Sequence, residues 1–154
     1  MIHGSSTFIH VGQLHVDVAP AAISTVLGSC IAVCLYDTRL GIGGMNHYLL
    51  PFWNGNGLQS LRFGNISIPL LIEAMIEKGS SIRTMEAKIF GGASMNASTN
   101  ENMMIGKKNI LVAREILQSY KIAIIAEDVG GINGRKIQFD IERKKVLLKY
   151  TSSK

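Results

Sequence analysis

From Ile31 to Tyr36 the chain reads Ile-Ala-Val-Cys-Leu-Tyr with no charge, and an unbroken apolar run of this length predicts a central strand covered on both faces. The next segment, Leu40 to Leu50, has glycines at 41, 43 and 44 before Met45-Asn46-His47-Tyr48-Leu49-Leu50 and stops at Pro51. It predicts a turn, a bulge and a neighbouring strand paired with the first as a hairpin. Nearer the N-terminus, Ile9, Val11, Leu14, Val16 and Val18 alternate with polar residues about Gly12-Gln13, the pattern of another hairpin.

Helical spacing appears twice. Leu71, Ile72, Met75 and Ile76 form one face of a helix over Ile68 to Lys78, which Gly79 ends. Ile110, Ala113, Ile116, Leu117 and Tyr120 do the same over Lys107 to Tyr120. Strand patterns recur at Ala87 to Phe90, Ile122 to Glu127, Lys136 to Ile141 and Val146 to Tyr150, the last two joined by a turn through Glu142 to Lys145. Many strands and two helices predict an α/β fold: a layered β-sheet sandwich with helices packed outside, in a single domain over residues 1–154.

Composition narrows the setting. With 47% hydrophobic and 18% charged residues, 154 residues fill a substantial core. No apolar stretch reaches the ~20 residues of a membrane-spanning helix and no cleavable signal pattern is seen, so a cytoplasmic protein without membrane insertion is expected. Two cysteines close in sequence suit a reducing compartment better than a disulfide framework. The net charge of +5 favours acidic partners. Lys107-Lys108 and Arg143-Lys144-Lys145 are the basic clusters, each read first as a solvated face. Only 6% of residues are aromatic and none interleave with the basic ones, which speaks against nucleic acid as a partner. No His, Cys, Asp and Glu set has zinc-like spacing, so neither metal nor other cofactor is expected; His10 and His15 read as ordinary strand-face residues.

Candidate chemistry centres on Cys30, which follows Gly28-Ser29 where a turn meets the central strand, and on His47 in the next strand. A thiol and an imidazole on adjacent antiparallel strands can come within roughly 5 Å, the reach needed for a cysteine nucleophile and its base. Spacing alone leaves the register open, and a small buried apolar role is the competing reading for any free cysteine. Cys34, inside the apolar run, reads as inert core. The backbone amides at Gly28 and Ser29 are candidates to hold a developing oxyanion, with Ser94 of Gly91-Gly92-Ala93-Ser94 another. That glycine loop lacks the Lys-Ser/Thr ending of a phosphate-binding P-loop and reads as a tight turn or as the lining of a cleft.

The strings Leu27-Gly28-Ser29-Cys30-Ile31-Ala32-Val33-Cys34-Leu35-Tyr36-Asp37, Gly44-Met45-Asn46-His47-Tyr48-Leu49-Leu50-Pro51 and Lys88-Ile89-Phe90-Gly91-Gly92-Ala93-Ser94-Met95 together closely resemble the bacterial chemoreceptor glutamine deamidase family, CheD. Asn109, Ala126-Glu127-Asp128-Val129-Gly130-Gly131 and Asn133-Gly134-Arg135-Lys136-Ile137 follow in the family's order. The resemblance implies a hydrolase of the side-chain amide of particular glutamines in methyl-accepting chemotaxis receptors, leaving glutamate and ammonia. It implies an α/β sandwich related to cysteine-dependent toxin deamidases, and a CheC-type phosphatase as a second partner. Cys30 would be the nucleophile and His47 the general base. The family's third site residue is a threonine six places before the cysteine; that position here is Ser24, with Thr25 one place nearer. Ser24 keeps the spacing, and since neighbouring strand residues face opposite ways, only one of the two should reach His47. A non-catalytic chemotaxis interaction module is the alternative.

Three further segments are open to two readings. Arg135 either meets a receptor carboxylate or pairs with Asp128, the latter favoured. Asn100 to Gly106, with Met103 and Met104, suggests either a flexible recognition edge or methionines that fill core. Trp53, in Pro51-Phe52-Trp53-Asn54-Gly55-Asn56-Gly57, either covers the cleft or packs locally.

Overall fold

The computed structural model describes residues 4–94 and 100–151, with side chains in the second segment from 104 onward. Among these residues nine strands form two sheets. The first sheet has four strands in the order β1 (Ser5–Phe8), β3 (Ala21–Leu27), β8 (Gly134–Asp140) and β9 (Lys145–Thr151). The second has five: β2 (Gln13–Val18), β5 (Ile42–His47), β4 (Ile31–Asp37), β6 (Met85–Gly91) and β7 (Ala123–Val129). Helices α1 (Gly64–Glu77) and α2 (Asn100–Ser119) cover the outer face of the five-stranded sheet.

The expected layered sandwich is therefore present, and its order is sheet, sheet, helices. The central position of β4 explains its uniformly apolar sequence. Ile31, Val33 and Leu35 pack with Ile68, Leu71, Ile72 and Met75 of α1 and with Val112, Ala113 and Leu117 of α2. Ala32, Cys34 and Tyr36 point the other way, into the space between the sheets with Ile23, Leu27, Ile137 and Phe139. All of these residues are buried, so hydrophobic burial acts on both faces of one strand.

Several expectations need correction. The N-terminal alternation is not a hairpin. The chain does turn at His10 to Gln13, where the Gln13 N–H donates to the His10 carbonyl, but it changes sheets there. β1 lies parallel to β3, whereas β2 lies antiparallel to β5. Both patterns alternate because each strand has one covered face; alternation does not say which sheet covers it. β4 and β5 pair with a constant offset, without the anticipated bulge. α1 begins at Gly64, four residues early. α2 begins at Asn100, so the segment read as a flexible edge is the first turns of a helix. Polar residues there hid the apolar period that becomes visible after Gly106.

Candidate active site

The register that pairs Cys34 with Met45 also pairs Ile31 with Tyr48, and it sets His47 opposite Ala32. Cys30 lies two residues before Ala32 and packs against the same core between the sheets. The thiol and the imidazole thus share a face as diagonal neighbours, a relation that separates β-carbons by about 7 Å or less. The direct cross-strand pairing allowed by the sequence is replaced by this diagonal one.

Thr25 approaches His47 from the other sheet. Its Oγ1 lies 2.7 Å from His47 Nδ1, and the same hydroxyl donates to the Ile9 carbonyl at 2.8 Å. Both side chains are buried, Thr25 completely and His47 with 6% exposed. The arrangement decides the tautomer. A carbonyl only accepts, so the single hydroxyl proton of Thr25 goes to Ile9 and Oγ1 must accept from Nδ1–H of His47. Nε2 is then the nitrogen with the free lone pair, and it is buried without a hydrogen-bond partner among the described residues. An imidazole held this way can take a proton at Nε2.

Ser24 does not share this place. In β3 the inward residues are Ile23, Thr25 and Leu27, while Ser24 sits on the opposite face, across from Phe8 and Gln138. It lines a hollow with Lys136, Gln138, Leu147 and Lys149. Spacing favoured Ser24; strand alternation gives the contact with His47 to Thr25. Thr25→Val is accordingly expected to lower kcat by about 30-fold or more, since the loss of a fixed tautomer costs at least ~2 kcal/mol of barrier, whereas Ser24→Ala stays within about twofold of wild type. For the activity that the resemblance to the CheD family implies, steady-state ammonia release from a receptor fragment checks the ranking.

Burial sets the resting charge state. It pushes the Cys30 thiol up to about 11, an effect moderated by the residue's own backbone N–H, which hydrogen-bonds the sulfur. It pulls the His47 imidazole down to about 4, with His10 nearby adding a like-charge contribution. At neutral pH the pair is therefore a thiol and a neutral imidazole, ready for a proton transfer that accompanies attack. Cys34 is completely buried and its thiol is pushed far above the ordinary range, in keeping with inert core.

The turn carrying Cys30 is held on every side. The Gly28 carbonyl accepts from Ala93 N–H at 3.0 Å, and the Cys30 carbonyl accepts from Gly92 N–H at 2.8 Å. Gly91 has φ of +110°, and a β-carbon there would come 2.1 Å from the Cys30 carbonyl oxygen, so only glycine lets β6 lie this close. The Ser29 carbonyl accepts from Asn109 Nδ2 at 3.0 Å. The glycine loop is thus a lining of the turn that carries Cys30. Ser94 lies at its end, and its N–H is engaged by the Gly131 carbonyl; Met95 lies outside the described residues.

The remaining candidates take structural places. Arg135 is buried and its Nε donates to Asp128 at 2.8 Å, with further bonds from its guanidinium to the Gly130 and Asn133 carbonyls. Arg143 pairs with Asp140 at the β8–β9 turn. The Trp53 indole closes its own loop on the Asn56 carbonyl. His15 lies 3.1 Å from Asp17. Among the described residues no cluster of His, Cys, Asp and Glu is arranged to hold a metal, and no helix is long and apolar enough to cross a membrane. Asn109 was singled out in the sequence only as part of a motif. Its signal was available: it is the one polar residue in the buried stripe Gly106, Asn109, Ile110, Ala113, Leu117 of α2.

A family model described as CheD chemotactic sensory transduction matches residues 49–150. The chain belongs to the CheD family. A relative from Sulfurimonas denitrificans, named probable chemoreceptor glutamine deamidase CheD, is 54% identical over 144 residues, 93% of this chain and 92% of its own. Relatives with the same name from Trichlorobacter lovleyi and Thermococcus kodakarensis are 43% and 39% identical, covering 92% and 94% of this chain and 88% and 92% of theirs. The 144-residue match is too long to omit the Ser24 to His47 region, so likeness to CheD relatives extends across the candidate site. Among solved structures, Neisseria meningitidis protein NMB0706 overlays 77% of this chain and 52% of its own at 14% identity, with a TM-score of 0.44.

Proposed function

We propose that this chain hydrolyses the side-chain amide of particular glutamines in methyl-accepting chemotaxis receptors, with Cys30 as nucleophile, His47 as general base and Thr25 holding His47. The observation that carries the reading is the Thr25 to His47 hydrogen bond, which leaves Nε2 as the basic nitrogen on the sheet face to which the partly exposed Cys30 also belongs.

The chemistry follows from that placement. Nε2 takes the thiol proton as sulfur bonds to the amide carbon, and the carbonyl electrons move to oxygen. The carbonyl re-forms, the carbon–nitrogen bond breaks, and the proton on Nε2 goes to the departing nitrogen, which leaves as ammonia. Water then gives a proton to the same nitrogen and opens the thioester, yielding the glutamate side chain and the free thiol. One glutamine amide and one water thus become one carboxylic acid and one ammonia. The reading includes receptor cytoplasmic domains as substrate, a CheC-type phosphatase as a second partner, and a cytoplasmic location.

Because the base must be neutral, activity is expected to fall as pH drops through about 4, the value to which burial lowers His47, and to stay level from roughly pH 6 to 9. A half-maximal point near 6.5 in kcat/KM would contradict a buried base. The same shift carries a stability cost. The unfolded chain takes up a proton at His47 near pH 6.5 and the folded one near 4, so stability falls as pH is lowered between those values, by roughly 3 kcal/mol at most from this group. Urea midpoints of wild type and His47→Gln should converge over that interval. Ammonia release and mass mapping of receptor glutamines test the activity directly.

A further inference from the structure

We infer that Asn109 is a positioning residue that aims the backbone N–H of Cys30 at the oxyanion of the reaction. The inference rests on the cysteine-hydrolase reading above.

Asn109 is completely buried on α2, and its Nδ2 donates to two carbonyls, Ser29 and Leu49, each at 3.0 Å. Those acceptors fix which end of the amide faces them, because only nitrogen can donate. Ser29 and Leu49 flank the two reacting side chains: one precedes Cys30, and the other follows His47 by two residues. A single amide therefore ties the nucleophile's turn to the chain leaving the base's strand.

The Ser29 bond has a directional consequence. The carbonyl of Ser29 and the N–H of Cys30 belong to one planar trans peptide and point in opposite directions. Holding the carbonyl towards α2 turns the N–H away from α2, and covalent geometry keeps that N–H close to the sulfur of its own residue. The following peptide is fixed as well, since the Cys30 carbonyl is held by Gly92 N–H at 2.8 Å. An N–H beside the sulfur lies where the oxygen of a carbonyl under attack by that sulfur develops its charge.

The brace is itself supported. Gly106, one turn earlier on α2, has no room for a β-carbon, which would stand 2.6 Å from the Gly92 carbonyl oxygen. Tyr48, next to His47, donates its hydroxyl to the Asn109 backbone carbonyl at 2.5 Å. Asn109 Oδ1 is buried without a partner among the described residues, an unfavourable feature that apolar packing at this position would have avoided.

Two reagents separate positioning from mere support, and neither needs a receptor. Acylation of Cys30 by 4-nitrophenyl acetate passes through a tetrahedral oxyanion, whereas alkylation by iodoacetamide displaces iodide with none. In Asn109→Ala and Asn109→Ser, assayed well below their unfolding temperatures, the acylation rate is expected to fall at least tenfold while alkylation changes less than threefold. Cys34 should stay unlabelled in peptide maps, which verifies the fold. If Asn109→Ala does not fold, Asn109→Ser, which keeps one donor, carries the comparison. An unchanged ratio of acylation to alkylation in a folded variant would overturn the inference, and so would a parallel fall in both. Absence of receptor deamidation by the wild-type protein would instead defeat the proposed substrate and leave this ratio readable.

Discussion

Cys30→Ala is expected to abolish ammonia release from a chemoreceptor fragment, with a loss of at least ~10⁴ in kcat, equivalent to more than 5 kcal/mol of barrier. An unactivated amide hydrolyses very slowly, and the covalent route through a thioester disappears with the sulfur. The fold should persist, because the Cys30 side chain is only partly buried at the margin of the core between the sheets, and its neighbours are held through backbone bonds. A melting temperature within a few degrees of wild type, together with absent turnover, is the expected pair of results. Substantial residual turnover would mean that another group performs the attack. The partial exposure of Cys30 also makes the test specific: a thiol reagent should modify Cys30 and leave Cys34, which is completely buried, untouched.

His47→Ala is expected to lower kcat by about 10³, or ~4 kcal/mol, because the thiol then lacks the group that accepts its proton and the leaving nitrogen lacks its donor. Burial makes the dependence steep. With Cys30 shifted up to about 11, few thiolates exist at neutral pH without assistance. Raising the pH towards 10 should therefore recover part of the activity of His47→Ala, whereas wild type changes little over the same range. A variant whose rate is flat from pH 7 to 10 would show that His47 does not act on the thiol proton. KM for the receptor fragment should remain within a few-fold of wild type in both variants, since neither side chain is asked to hold the substrate.

Much of this arrangement could be read from residues alone. The uncharged run Ile31 to Tyr36 had to be a strand covered on both faces, and β4 is sandwiched by helices on one side and the four-stranded sheet on the other. The hairpin of β8 and β9 and the helical stripe after Gly106 were equally legible, because local periodicity and turn residues encode them. Sheet membership was not. β1 and β2 follow one another with a tight turn between them, yet each pairs with a strand encoded farther along the chain, and alternation is the same in either sheet.

The site divides in the same way. Cys30 and His47 stood out by residue type and neighbours, and their shared face followed once β4 and β5 were paired. Thr25 against Ser24 required the phase of β3, which depends on the position of the opposing sheet; a count of residues from Cys30 could not provide it. Asn109 was hidden because its partners are backbone carbonyls 80 and 60 residues away in sequence, and carbonyls carry no residue-type signal. Its place in the family's order and its position in an otherwise apolar helical stripe marked the residue but not its partners.

Cysteine-dependent deamidation of receptor glutamines is open to peptide mass mapping of a cognate receptor cytoplasmic fragment after incubation with the reduced wild-type protein in ¹⁸O-labelled water. Particular glutamines are expected to become glutamates carrying one ¹⁸O, with ammonia released in equal amount and neither product formed by Cys30→Ala. Unchanged glutamines with a folded, reduced protein, or conversion that persists in Cys30→Ala, would contradict it.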